Sequence, residues 1–138
     1  MSQTEPSRAR VLVVEDDPDN RTVIERLLRL AGVGPNSYAS IAGDAAAYLA
    51  SSSESFDLVF LDLQLPKKDG YAILGEMRAN PRLASTRVVA LTANVSRREV
   101  ERCRAAGFDG FIGKPIDGRR FSALLREILK GEAVWTED

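Results

Sequence analysis

Two short aliphatic runs, each ending in acid, constrain this chain more than any other feature: VLVV leading into Glu15, Asp16 and Asp17, and LVFL leading into Asp62. An unbroken apolar run that is too short for a helix and is stopped by polar turn residues reads as a strand buried on both faces. Such burial arises where helices cover both sides of a parallel sheet, because parallel strands need crossover connections. RVVALTA and FDGFIGKP supply two further strands of this kind, and Asn36 to Ser40 a weaker one.

Helical periodicity fills the intervals. Val23, Ile24, Leu27, Leu28 and Ala31 recur at helical spacing; Asp17 or Asp19 can cap that helix, Pro18 suits its first turn, and it ends near Gly32 and Gly34. IAGDAAAYLA is rich in helix formers, and Ile73, Leu74 and Met77 form a stripe that Asn80 and Pro81 stop. SRREVERCRAAG is a polar helix with Val100, Cys103 and Ala106 as its apolar stripe, and Phe121, Leu124, Leu125, Ile128 and Leu129 mark the last helix, ending at Gly131. Five alternations of strand and helix predict an α/β fold, a doubly wound five-stranded parallel sheet with helices on both faces.

A chain of 138 residues suits one such core. The expected division is a flexible N-terminus over 1–8, the folded domain over 9–131 and a tail over 132–138 that carries Trp135 outside any element. With 19 basic and 20 acidic residues, the net charge of -1 leaves no global excess to hold nucleic acid or an anionic membrane. No apolar stretch has the length of a membrane span or signal core. The single cysteine, Cys103, cannot form an internal disulfide and reads as packing, which suits a reducing, cytoplasmic setting.

In open parallel sheets, ligands bind outside the carboxyl ends of the strands. At those ends stand Glu15, Asp16 and Asp17; Asp62 and Gln64; Thr92; and Lys114 followed by Pro115. Crowded carboxylates repel one another unless a cation neutralises them. Oxygen donors in a chain without histidine point to a hard ion, Mg²⁺, and not to zinc or copper. Mg²⁺ commonly bridges carboxylates to phosphate oxygens, and aspartate is a known phosphoryl acceptor. Asp62 is then the candidate nucleophile, with Lys114 and the Thr92 hydroxyl as electrostatic helpers for the transferred group.

The segments VLVVEDDPDN, LVFLDLQLPKKDGYAIL, VVALTAN and FIGKPID together resemble the response-regulator receiver family over roughly residues 9 to 131. The resemblance implies a flavodoxin-like strand order, 2-1-3-4-5. It implies Asp62 as the phosphoacceptor and a Mg²⁺ ligand, Asp16 as a direct ligand, Glu15 acting largely through water, and the backbone carbonyl of Gln64 as a further ligand. Thr92 matches the switch hydroxyl, Lys114 the site lysine and Phe111 the switch aromatic, and the Lys114-Pro115 bond is expected to be cis. It further implies phosphoryl transfer from a sensor histidine kinase or phosphotransfer protein, and altered binding of a downstream protein through the fourth helix, fifth strand and fifth helix. The chain is expected to catalyse only its own phosphorylation and dephosphorylation, and to be a monomer or a weak phosphorylation-dependent dimer. It departs from the family pattern in its Glu-Asp pair with a third acid, Asp17, and in Phe111, which lacks the tyrosine hydroxyl. Gln64 and Asn94 stand where the family tunes the lifetime of the phosphoryl group.

Other readings fit parts of the same pattern. A phosphatase working through an aspartyl phosphate needs a second acid two residues after Asp62, where Gln64 stands. An inert interaction domain has no use for an intact set of acids, acceptor and lysine. GFDGFIGK is not a nucleotide-binding loop, because Pro115 occupies the position of the metal-binding hydroxyl. Arg97, Arg98, Arg102 and Arg104, interleaved with Glu99 and Glu101, read as a solvated helix face.

Overall fold

In the computed structural model, which describes residues 5–135, a short 3-10 turn, Pro6–Arg8, precedes six strands and five helices. They follow one another as β1 (Val11–Val14), α1 (Pro18–Leu30), β2 (Tyr38–Ile41), α2 (Ala45–Ser51), β3 (Leu58–Asp62) and α3 (Gly70–Ala79), then β4 (Arg87–Thr92), α4 (Arg97–Ala106), β5 (Gly110–Gly113), α5 (Gly118–Leu129) and β6 (Val134–Trp135). All pairings are parallel, in the order β2-β1-β3-β4-β5-β6.

The aliphatic runs are buried because each strand feeds two cores at once. Leu12, Val14, Val59, Leu61, Val88, Ala90 and Phe111 pack against α2, α3 and α4. Their alternates Val11, Val13, Leu58, Phe60, Val89, Leu91 and Ile112 pack against α1 and α5. Successive side chains of a strand point to opposite faces, so both faces must be apolar and no polar alternation remains in the sequence.

Every helix is capped on the site side of the sheet. The carboxylates of Asp17, Asp44, Asp69 and Asp117 accept backbone N–H bonds at the starts of α1, α2, α3 and α5, and the Ser96 hydroxyl does so for α4. Of the two capping candidates for α1, Asp17 serves, accepting from the Asp19 N–H at 2.8 Å. The Lys114-Pro115 bond is cis, as the resemblance implied.

The sheet has one strand more than the sequence predicts. Val134 and Trp135 pair with Gly110 and Phe111 on the outer edge of β5, so Trp135 belongs to a strand. Two residues carry no periodic signal. Their pairing is set by the free edge of β5 and by Gly110, where an added Cβ would meet the Val134 carbonyl oxygen at 2.8 Å. Of the expected flexible N-terminus, residues 6–8 form the 3-10 turn and 1–4 lie outside the described residues, as do 136–138 of the expected tail.

Candidate active site

β1, β3, β4 and β5 end together, and the backbone register brings their terminal residues to one edge. Glu15 follows β1, Asp62 closes β3 and Thr92 closes β4; these are the buried polar residues of the described chain, at 1%, 4% and 1% exposure. Lys114, just past β5, reaches between the two acids, its Nζ donating to Glu15 Oε1 at 2.8 Å and to Asp62 Oδ2 at 3.1 Å. The lysine is fixed from behind as well, since its backbone N–H donates to the Thr92 carbonyl at 2.8 Å.

These contacts set the protonation of the cluster. Burial raises the Asp62 pKa above its ordinary value and the nearby Glu15 adds to that, against a bond from the Gln64 N–H (2.9 Å to Oδ1) and the Lys114 charge. Burial also works against ionised Glu15, but its hydrogen bonds, with Lys114 foremost, outweigh it and hold Glu15 below the usual range. For Lys114, burial favours the neutral amine, yet the bond to Glu15 and the charge of Asp62 overcome it and raise its pKa. With both acids ionised, the site holds one ammonium between two carboxylates.

The predicted metal ligands divide into two groups. Glu15 and Asp62 converge, whereas Asp16 is exposed and lines a cleft of about 460 Å³ with Leu65, Lys68 and Asp44. Among the described residues, no three acids come close enough to cage an ion by themselves. A set of one or two carboxylates, a carbonyl and open space for water suits Mg²⁺, which keeps several waters, and would not suit an ion that demands a full protein cage. Asp16, Asp62 and the Gln64 carbonyl would hold it, with Glu15 behind them.

Thr92 Oγ1 accepts the Asn94 N–H at 3.0 Å, so the hydroxyl stands at the edge with its proton available. Phe111, whose ring the resemblance casts as a switch, is wholly buried on the sheet face that holds Trp135 and Cys103.

Three features escaped sequence reasoning. Gly70 opens α3 hard against β3: an added Cβ would lie 2.9 Å from the Asp62 carbonyl oxygen and 3.0 Å from Leu63 Cα. Gly70→Ala is expected to cost ~1–3 kcal/mol of stability, read by urea denaturation, because rigid backbone must move. The DG pair signals a turn, but only the fold shows what the missing Cβ makes room for. Second, Arg21 clamps the acidic loop, donating from Nη1 to the Glu15 carbonyl at 2.7 Å and the Asp16 carbonyl at 3.1 Å. Third, two of the exposed α4 arginines also lie over aromatic rings, Arg102 over Tyr71 at 4.0 Å and Arg104 over Trp135 at 4.7 Å.

A profile of the response regulator receiver domain matches residues 11–126, most of the chain and all of the elements that build this edge. The chain belongs to the response regulator receiver domain family. This receiver domain is 34% identical over 133 residues to hybrid signal transduction histidine kinase L of Dictyostelium discoideum, covering 93% of the chain but 8% of the kinase. Its fold matches the signal receiver domain of a histidine kinase from Syntrophus aciditrophicus at 27% identity and TM-score 0.74, covering 89% of this chain and 91% of that one. It also matches the receiver domain of sensor histidine kinase PA1611 from Pseudomonas aeruginosa PAO1, with 32% identity, TM-score 0.67 and coverage of 88% and 93%. That structure has a magnesium ion coordinated in its active site cleft. Among the described residues of the present domain, no helix is long and apolar enough to cross a membrane.

Proposed function

We infer that this receiver domain takes a phosphoryl group onto Asp62 from a histidine kinase or phosphotransfer protein, in a reaction that needs Mg²⁺. The observation that carries the reading is the buried Asp62 at the end of a central strand, with Gln64 N–H on one carboxylate oxygen and Lys114 on the other. Both contacts orient the nucleophile and lie where negative charge must be compensated when a phosphoryl group arrives.

A carboxylate oxygen of Asp62 attacks phosphorus, the bond from phosphorus to the donor breaks, and the donor leaves with the electron pair; no proton need be abstracted from Asp62. Bound Mg²⁺ would supply charge neutralisation of the phosphoryl oxygens. Lys114 holds a second oxygen by charge, and Thr92 Oγ donates to a third once it turns from Asn94. The domain acts catalytically only on itself, and its output is altered binding of a protein partner through the face built by α4, β5 and α5. A cytoplasmic setting is part of the same proposal.

The test uses a small donor and no kinase. With Mg²⁺ and acetyl phosphate, the intact mass is expected to rise by one phosphoryl group, and chelation of Mg²⁺ is expected to prevent it. An unchanged mass at saturating donor would refute the reading, and sustained turnover of simple phosphomonoesters would favour a phosphatase.

A further inference from the structure

The outer edge of β5 is closed by the chain's own two-residue β6, and contacts on both sheet faces hold it there. Phe111 and Trp135 are paired in register, which puts both side chains on one sheet face, where Trp135 packs against the core cluster that contains Phe111 and Cys103. The Arg104 guanidinium of α4 covers the Trp135 ring from outside at 4.7 Å. Gly110, without a side chain, lets the Val134 backbone approach. Val134 is buried among the α5 side chains on the other face, so what α4 controls in a strand this short is the Arg104 cover on Trp135.

The position of α4 is tied in turn to the Thr92 hydroxyl. Thr92 Oγ1 accepts the Asn94 N–H at 3.0 Å, Asn94 Oδ1 accepts the Ser96 N–H at 3.3 Å, and Ser96 caps α4 through the Glu99 N–H at 3.2 Å. Asn94 Nδ2 also donates to Glu99 Oε1 at 3.3 Å. When Thr92 turns toward a phosphoryl group on Asp62, the first of these bonds is given up and the start of α4 loses its anchor. Arg104 lies on the same helix.

We propose that Val134 and Trp135 form a strap over the β5 edge that is held while Asp62 is free and released when Asp62 carries a phosphoryl group, baring that edge. The proposal rests on Asp62 being the phosphoacceptor. Binding of a phosphoryl group and docking of the strap then oppose each other, and the coupling is reciprocal: whatever frees the strap tightens the site for a phosphoryl mimic by the same factor.

Trp135 is the only tryptophan, so its emission reports the strap. The full chain is titrated with Mg²⁺ and beryllofluoride, a reversible phosphoryl mimic, with binding followed by calorimetry and Trp135 followed by emission and iodide quenching. Binding is expected with a red shift and a roughly threefold rise in quenching, as a mostly docked strap becomes mostly free. Saturable binding with unchanged emission and quenching overturns the strap, and absent binding overturns the phosphoacceptor reading together with it. Gly110→Ala, whose Cβ collides with the Val134 carbonyl, is expected to show high quenching without the mimic. Trp135→Ala is expected to bind beryllofluoride several-fold more tightly than the parent chain; equal affinity in this variant, with its thermal melt intact, also overturns the strap.

Discussion

Asp62→Asn is expected to abolish phosphoryl incorporation from acetyl phosphate while making the unphosphorylated fold more stable. The first effect follows from chemistry: an amide oxygen is a poor nucleophile toward phosphorus and cannot leave the stable acyl phosphate that a carboxylate forms. The second follows from electrostatics. Asp62 is buried beside Glu15, with its pKa raised, so its ionised form weakens the fold. A group with a raised folded pKa contributes stability below its unfolded value, and that contribution is lost as pH rises through the folded value. The penalty grows as pH rises through the folded value. Asparagine removes it, keeps an oxygen for the Gln64 N–H, and leaves Lys114 to Glu15 alone. The gain is expected to be on the order of 1 kcal/mol in urea denaturation at pH 7, shrinking toward pH values where Asp62 is protonated. A less stable variant that still incorporates phosphate elsewhere contradicts both expectations.

Lys114→Met is expected to have the opposite effect on stability and the same effect on chemistry. Two buried carboxylates would lose the cation between them, and breaking a buried ion pair from one side costs roughly 3 kcal/mol because the remaining charge is left uncompensated. Lys114 has a raised pKa, so its contribution is present below its ordinary value of 10.5 and is lost only as pH rises through the higher folded value. The gap between parent and variant should therefore be wide at pH 7 and close in strong alkali. It should also narrow in acid, as Glu15 and Asp62 take up protons. Mg²⁺ is expected to restore part of the lost stability, because it too neutralises the acids, whereas phosphoryl incorporation should stay depressed by on the order of 100-fold without the ammonium on its oxygen. Denaturation curves across pH, with and without Mg²⁺, measure the first part; labelling rates measure the second.

Charge at the site thus has two separable roles. Under the proposed phosphoryl transfer, Asp62 weakens the fold in the service of chemistry, and Lys114 serves both. Such opposition between stability and activity is the usual cost of placing reactive charge in a buried edge.

Much of the fold is legible in the amino-acid sequence. The runs VLVV and LVFL had to be strands buried on both sides, because four consecutive apolar side chains on a strand cannot avoid pointing both ways. Asp44, Asp69, Ser96 and Asp117 begin helices for local reasons, and the order of elements then leads to a parallel sheet with its acids at one edge. Asp62, Thr92 and Lys114 could be singled out because each ends a strand whose termination is itself visible in the sequence.

Other features had no local signature. Nothing near Asp16 says that it faces a cleft while Glu15 is buried; the difference arises from the side of β1 on which each residue leaves the sheet and from Arg21 clamping their carbonyls. Val134 and Trp135 lack the length to announce a strand, and Arg104 looks like any exposed cation until α4 is set beside them. By itself, the sequence determined the first five strands, the helices, their alternation and the residues at the strand ends, since these depend on periodicity and on caps a few residues away. Only the tertiary structure decided the pair of contacts by which Lys114 reaches Glu15, 99 positions away, and Asp62, 52 positions away, together with the close approach permitted by Gly70 and the strap on β5. Those depend on distances between segments that meet only after the sheet has formed.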